Sequence, residues 1–409
     1  MGSADSSITK GVRVAVIVAA LGYFVDIYDL VLFTIVRVPS LTELGLTGDA
    51  LRDYGIFLLN MQMVGMLVGG IIWGILGDKR GRVSVLFGSI ILYSIANIAN
   101  AFVGSVEAYA VMRVIAGIGL AGELGAGITL VSEMMDKDKR GYGTTIVASI
   151  GILGAVAASL VGSETGWRTA FIVGGVLGLL LLFMRIGAYE SGMYKEVKER
   201  LHVRRGDFSQ LFANRTLLMK YVNSILIGLP LWYIVGVLVS LSKELGEALG
   251  VHPAPSPGKA IMYCYMGLAV GDLASGLLSQ YLKSRKRVAL IFILFCVCTA
   301  TLYFTARGVS LPMFYGICVI LGLSGGYWAI FVTMASEQFG TNIRATVTTT
   351  VPNFVRGAVV PMTLLFRWGI DRVGILQSGA IVGGAVIIIA LIALYNLDET
   401  YGKDLDYLE

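Results

Sequence analysis

The chain is poor in most of what a water-soluble enzyme uses. Only 14% of its 409 residues are charged, against roughly 25% in an average soluble domain, which excludes a soluble enzyme and a disordered scaffold. Two histidines, His202 and His252, and four scattered cysteines, Cys264, Cys296, Cys298 and Cys318, leave no metal-ligand spacing and no disulfide framework. All four cysteines fall in apolar stretches and read as small hydrophobes. No A-x-A-like site follows the first apolar run, so a spanning helix is expected there rather than a secretory signal. No metal and no cofactor is expected, and without a nucleotide-binding domain ATP is not expected as the energy source.

What the sequence does have is apolar length: 56% of its residues are hydrophobic. Twelve stretches near membrane-spanning length can be marked, at Val12 to Val38, Asp53 to Gly77, Val83 to Val103, Ala108 to Met134, Gly141 to Gly162, Arg168 to Ile186, Leu217 to Leu241, Lys259 to Leu282, Val288 to Phe304, Pro312 to Ser336, Ala345 to Arg367 and Leu376 to Leu397. The 52 glycines fit helices that pack through close backbone approach, since lipid gives no hydrophobic drive between them. Cations crowd the even-to-odd loops: Lys79, Arg80 and Arg82, then Lys137, Lys139 and Arg140, the run from Lys195 to Arg215, then Lys283, Arg285, Lys286 and Arg287, then Arg344. By the positive-inside rule both termini are expected in the cytoplasm, with the chain crossing the inner cell membrane many times.

The polar stretch Ser191 to Arg215 bisects the chain. Met193, Val197 and Leu201 recur in it at helical spacing, which fits a surface amphipathic helix as well as a solvated basic linker. It separates an expected six-helix bundle over residues 1–190 from a second over 216–409. The two repeat each other: Glu133 stands seven residues before Arg140, Glu337 seven before Arg344, and the same offset lays Gly122 on Gly326. The expected fold is all-α, twelve transmembrane helices in two pseudo-symmetric bundles. Parallel repeats of that kind suit an alternating-access transporter better than a channel.

The segment Gly74-Ile-Leu-Gly-Asp78-Lys-Arg80-Gly-Arg82 makes a family resemblance specific. It resembles the signature loop of the major facilitator superfamily, G-x-L-x-D-R-x-G-R-R, with Lys79 and Val83 departing from two arginines. The resemblance implies that Asp78 caps a helix end and pairs with Arg80 and Arg82 to latch the cytoplasmic side. The second half has Gln280 where that Asp would stand, so a weaker second latch is expected. Glu133 with Arg140 and Glu337 with Arg344 resemble the family's acidic and basic gating pairs. Within the superfamily, Gly22 to Phe33, Arg113 to Glu123, Gly166-Trp167-Arg168, Glu190-Ser-Gly and the tail from Glu399 are similar to the metabolite:proton, phosphate:proton and aromatic-acid:proton symporters. Gly117, Gly119 and Gly122 also satisfy a dinucleotide-binding spacing, but they sit in an apolar helix with no preceding strand and read as packing glycines.

Charges inside spans each cost at least about 2.5–3.5 kcal/mol at the bilayer centre unless they meet a partner or a cavity. The candidates for a functional role are Asp26, Asp29, Arg37, Arg113, Glu123, Asp272 and Arg356. Asp26 and Asp29 share a helix face, so Asp29, Asp26 and Glu123 are the candidate proton carriers, with Arg113 beside them. An Asp29–Arg113 pair that only pins two helices is the alternative. Arg356 lies twelve residues past Arg344, about 18 Å along a helix and near midplane. Its first-half equivalent is Ile152, so a guanidinium there is a candidate fork for a carboxylate or phosphate; pairing with an internal acid is the alternative. Tyr28, Arg37, Tyr233, Tyr327 and Asn353 join it as candidate substrate contacts, as do Tyr23, Trp232 and Trp328; half of these six rings are expected to be core or lipid-facing. Asp272 is expected in a gate or a helix contact.

These readings favour a proton-coupled symporter of a small anion: a monomer in the bilayer, not an enzyme, with no nucleic-acid partner. A proton-coupled carrier of a neutral sugar or other solute, a proton-antiport exporter, and a sensor that has lost transport are the competing expectations.

Overall fold

The computed structural model describes residues 2–80, 82–123, 140–190, 211, 214–340 and 343–403, with side chains from Val16 onward other than at 77–83, 140–146, 148–149, 187–190 and 344–345. No strand occurs among the described residues. The first bundle is α1 (Gly2–Glu43), α2 (Gly48–Arg80), α3 (Arg82–Asn100), α4 (Val106–Leu120), α5 (Arg140–Glu164) and α6 (Trp167–Glu190). The second contains α7 (Arg215–Leu226), α8 (Leu229–Tyr233), a π-helical turn over Ile234–Val239, α9 (Ser242–Ala248), α10 (Pro257–Leu282), α11 (Arg285–Thr305), α12 (Leu311–Gly325), α13 (Trp328–Glu337), α14 (Arg344–Gly357), α15 (Val359–Val373) and α16 (Ile375–Asn396). Together they make twelve passes. Eight stretches among the described residues are long and apolar enough to cross a bilayer. The amphipathic-helix reading of Ser191 to Arg215 falls almost wholly outside the described residues.

The bundles are built alike because their glycines are placed alike. In the first, α2 crosses α4 so closely that a Cβ on Gly65 would strike the Val114 carbonyl and one on Gly117 the Gln62 carbonyl. In the second, α10 crosses α12 the same way, Gly267 against Val319 and Gly322 against Cys264. With no side chain at the crossing the backbones approach closely and dispersion supplies the adhesion. The bundles meet along α2 against α14 and α5 against α10.

Three spans that hydropathy draws as continuous are broken in the second bundle. Pro230 has no N–H to give the Leu226 carbonyl, and α7 stops at Leu226 before α8 resumes. Pro361 likewise has none for the Gly357 carbonyl, where α14 gives way to α15. The tenth span breaks at Gly325-Gly326, between α12 and α13. The break is capped by Asp272, whose Oδ1 accepts the Ala329 N–H at 3.2 Å. Asp272 is thereby placed as a helix contact. The Ser240 hydroxyl donates to the Val235 carbonyl at 2.7 Å beside the π-turn. Irregular backbone at membrane depth persists only where protein groups or a cavity satisfy it.

Candidate functional site

The three breaks converge. Trp232 lies two residues after Pro230, Trp328 opens α13, and Arg356 ends α14 one residue before Gly357. The Arg356 guanidinium carbon stands 5.8 Å from the Trp232 ring centre and 5.7 Å from that of Trp328, and the indoles meet edge to face at 6.4 Å. Cation–π contacts in a desolvated setting are worth up to about 2 kcal/mol each. Across the bundle interface, Asp26 of α1 places Oδ2 3.7 Å from Arg356 Nη2, with both residues essentially inaccessible. That distance makes an ion pair without a hydrogen bond: Nη2 and Nε of Arg356 and both Asp26 oxygens have no hydrogen-bond partner among the described residues. Nη1 reaches the Asn353 side-chain oxygen at 3.5 Å, and Asn353 Nδ2 donates to the Ala121 carbonyl of α4 at 2.8 Å. The site thus combines a cation with spare donors, two flat aromatic faces, and a carboxylate from the opposite bundle.

Of the other expected substrate contacts, three tyrosines are directed elsewhere. The Tyr28 hydroxyl donates to the Ala170 carbonyl of α6, Tyr233 to Gly379 of α16, and Tyr327 to Ile227 beside the α7 break. Each spends its one donor on backbone and ties helices within its own bundle. Arg37 sits at the end of the bundle away from the termini, paired with Glu244 of α9 at 2.7 Å. Nearby, Arg367 meets Asp53 at 2.8 Å, Thr363 donates to Asn60 at 2.8 Å and Ser159 to the Gly258 carbonyl at 2.8 Å. All of these join one bundle to the other.

The proton-carrier candidates separate. Asp26 faces Arg356, whereas Asp29 turns into the first bundle against Gly174 of α6. Arg113 forms no ion pair within 4 Å among the described residues; its guanidinium lies 5.4 Å from each of the Phe33 and Phe171 rings. Glu123 is held by Arg185, which donates to both of its carboxylate oxygens, with both residues buried. A Cβ on Gly22 would collide with that pair, so the glycine gives it room against α1. Sequence reasoning missed Arg185. Its signal was a charge one residue inside the expected end of the sixth span.

At the end bearing the termini, the side chains of Asp78, Arg80, Arg82, Arg140 and Arg344, and all of Glu133, lie outside the described residues. Glu337 is described, and its carboxylate pairs with Arg285 at 3.2 Å. Glu399 of the tail accepts from the Ser284 hydroxyl and from the Arg285 and Thr400 N–H groups at 2.9 Å each. Partial burial pushes its carboxyl up, but the hydrogen bonds from Ser284, Tyr401, Arg285 and Thr400 outweigh this and hold it below the usual range. The tail thereby brings a carboxylate to the loop where Gln280 replaces the expected Asp, and the Tyr401 hydroxyl donates to Gln280 Oε1 at 3.1 Å.

The comparisons with known proteins agree with this architecture. Residues 17–351 match the family model described as Major Facilitator Superfamily. The putative niacin/nicotinamide transporter NiaP of Bacillus subtilis is 25% identical, with 83% of this chain and 84% of that protein covered. The gentisate transporter of Corynebacterium glutamicum is 24% identical over 96% of this chain and 90% of its own. Among solved structures, the proton:xylose symporter XylE bound to 6-bromo-6-deoxy-D-glucose superposes with a TM-score of 0.71 at 17% identity, covering 97% of this chain and 98% of that one, a likeness of fold. Twelve passes in two glycine-matched bundles, a polar site at their interface and a family match over most of the chain lead to one conclusion: the protein is a multi-pass membrane transporter, not an enzyme, and belongs to the Major Facilitator Superfamily.

Proposed function

We propose that the protein is a proton-coupled symporter of a small organic anion, with a flat aromatic carboxylate as the solute that fits best. The observation that carries this reading is Arg356, buried between Trp232 and Trp328 with Nε and Nη2 lacking hydrogen-bond partners among the described residues. A carboxylate accepts two parallel N–H bonds from such a fork, and its ring lies against indole. Asp26 is the internal counter-charge that an incoming anion displaces. Once displaced it is a buried acid without a cation, and taking up a proton relieves it. Solute and proton are thereby loaded together. Relatives named for niacin/nicotinamide and for gentisate transport support an aromatic solute, and two of the three named solutes are carboxylic acids. Asn353 joins this site, Asp29 with Arg113 serves proton transfer, and Arg37 and Glu244 act as a gate. On this reading both termini lie in the cytoplasm, which the excess of loop cations supports, and the chain works as a monomer in the inner cell membrane.

Proteoliposome uptake tests it: niacin or gentisate should accumulate against its gradient when an inward proton gradient is imposed, and a protonophore should abolish the accumulation. One observation favours a second reading. Asp26 already compensates Arg356, so the resting site is neutral and would suit an uncharged solute. Accumulation of a sugar, with no response to either acid, would establish that alternative.

A further inference from the structure

The interior of the first bundle holds a second row of polar groups that the Asp26–Arg356 site does not use. One side of α6 presents Gly174, Gly178, Leu181 and Arg185, spaced four, three and four residues apart and therefore stacked. A Cβ on Gly174 would collide with the Asp29 carboxylate, and one on Gly178 with Ser94 and the Tyr93 ring, while Arg185 holds Glu123. Asp29 of α1, Tyr93 of α3 and Glu123 beyond the end of α4 are thus ranked along one stripe of α6, whose backbone rises roughly 16 Å from Gly174 to Arg185 toward the end that bears the termini. Both Asp29 oxygens, the Tyr93 hydroxyl and both side-chain polar atoms of Asn97 are buried without a hydrogen bond of regular geometry among the described residues. Buried polar groups left unmet in this way are destabilising. Water, which both donates and accepts, fits a seam lined by donors and acceptors. The charged groups acting on the Tyr93 hydroxyl are Glu123, Asp29, Arg185 and Asp26.

We propose that this seam is a proton branch separate from the substrate site, in which the Tyr93 hydroxyl relays a proton between Asp29 and the Glu123–Arg185 pair through bridging water. The proposal rests on the proton-coupled reading above. Protonated Asp29 gives its proton to a bridging water, and that water passes one to Tyr93 Oη as the hydroxyl's own proton leaves toward Glu123. Glu123 becomes neutral and releases Arg185, then loses the proton to solvent and re-forms the pair. Only O–H bonds break and form, and one proton leaves Asp29 for each that reaches solvent. Tyr93 and Arg185 act as positioning and relay residues and need not touch the solute.

Time-resolved infrared spectroscopy after a pH jump, on the purified full chain in lipid nanodiscs, tests this without any solute. The carboxylic-acid band component assigned to Asp29 is the one lost in Asp29→Asn. In Tyr93→Phe that component should keep its amplitude and form about tenfold or more slowly; Glu123→Gln should slow it likewise. Tyr303→Phe, which removes a buried hydroxyl bonded to the Leu238 carbonyl in the other bundle, should form it at the wild-type rate. Equal rates in wild type and Tyr93→Phe overturn the branch while leaving coupling at Asp29 standing. If Asp29→Asn removes no component, Asp29 carries no proton and the branch falls with it, while solute-coupled protonation at Asp26 is left standing.

Discussion

Arg37 of α1, itself buried, and Glu244 of α9, partly exposed, form an ion pair 2.7 Å across the interface between the bundles and far from both termini. The Thr34–Ser240 contact lies beside it at 3.5 Å. Removing Glu244 leaves the buried Arg37 without compensation, at a cost below the roughly 3–5 kcal/mol of a fully buried pair because Glu244 is partly solvated. That cost applies only while this end of the bundle is closed, so Glu244→Gln should shift the protein toward states in which it is open. A cysteine placed at Ser240 reports the shift. Its labelling by a membrane-impermeant maleimide should quicken in the Glu244→Gln background, and an unchanged rate would remove Arg37 and Glu244 from the gate.

Gly22 makes a second, independent prediction. Alanine there forces the Arg185 and Glu123 head groups apart or away from α1, and overpacking of this kind costs about 1–3 kcal/mol. Thermal unfolding in detergent should show the loss. Because the clash is with the ion pair, Gly22→Ala combined with Glu123→Gln should cost less than the sum of the single changes. Strict additivity would mean that the glycine serves something other than the pair.

Glu399 predicts a pH dependence. Its hydrogen bonds lower its pKa in the folded protein relative to the unfolded chain. The stabilisation is therefore present above the unfolded carboxylate value and is lost as pH falls through the folded one. Glu399→Gln should lower the unfolding temperature at neutral pH, and the gap to wild type should close on acidification. A gap that is constant with pH would show that the tail is held by packing alone.

The sequence made the fold legible because hydropathy, loop cations and glycine spacing are all local signals. Spans such as Val288 to Phe304 fall inside their helices, whereas the offset that lays Gly122 on Gly326 puts Gly117 on Leu321, one residue short of the crossing glycine Gly322. The breaks at Leu226 and Gly357 were less visible, since Pro230 and Pro361 sit in runs apolar enough to read as unbroken helix. Arg356 stood out as a charge where its repeat partner, Ile152, is apolar. Its counter-charge did not, because Asp26 lies 330 residues away in the other bundle and no local spacing ties the two together. The tyrosines show the limit most clearly. A buried ring with a hydroxyl suits a ligand and a backbone carbonyl equally, and only the packing of α6 and α16 shows that Tyr28 and Tyr233 are bonded to carbonyls.

The Arg356 site is tested most directly by titrating niacin and gentisate into wild-type protein and Arg356→Lys. Lysine keeps the charge and loses the planar fork, so an aromatic carboxylate held by two parallel bonds should bind roughly 10- to 100-fold more weakly, the loss of about 1.5–3 kcal/mol expected of a charge-assisted hydrogen bond. If the acids bind both proteins equally, Arg356 is no anion clamp, and its pairing with Asp26 would be a neutral wall of a site for an uncharged solute.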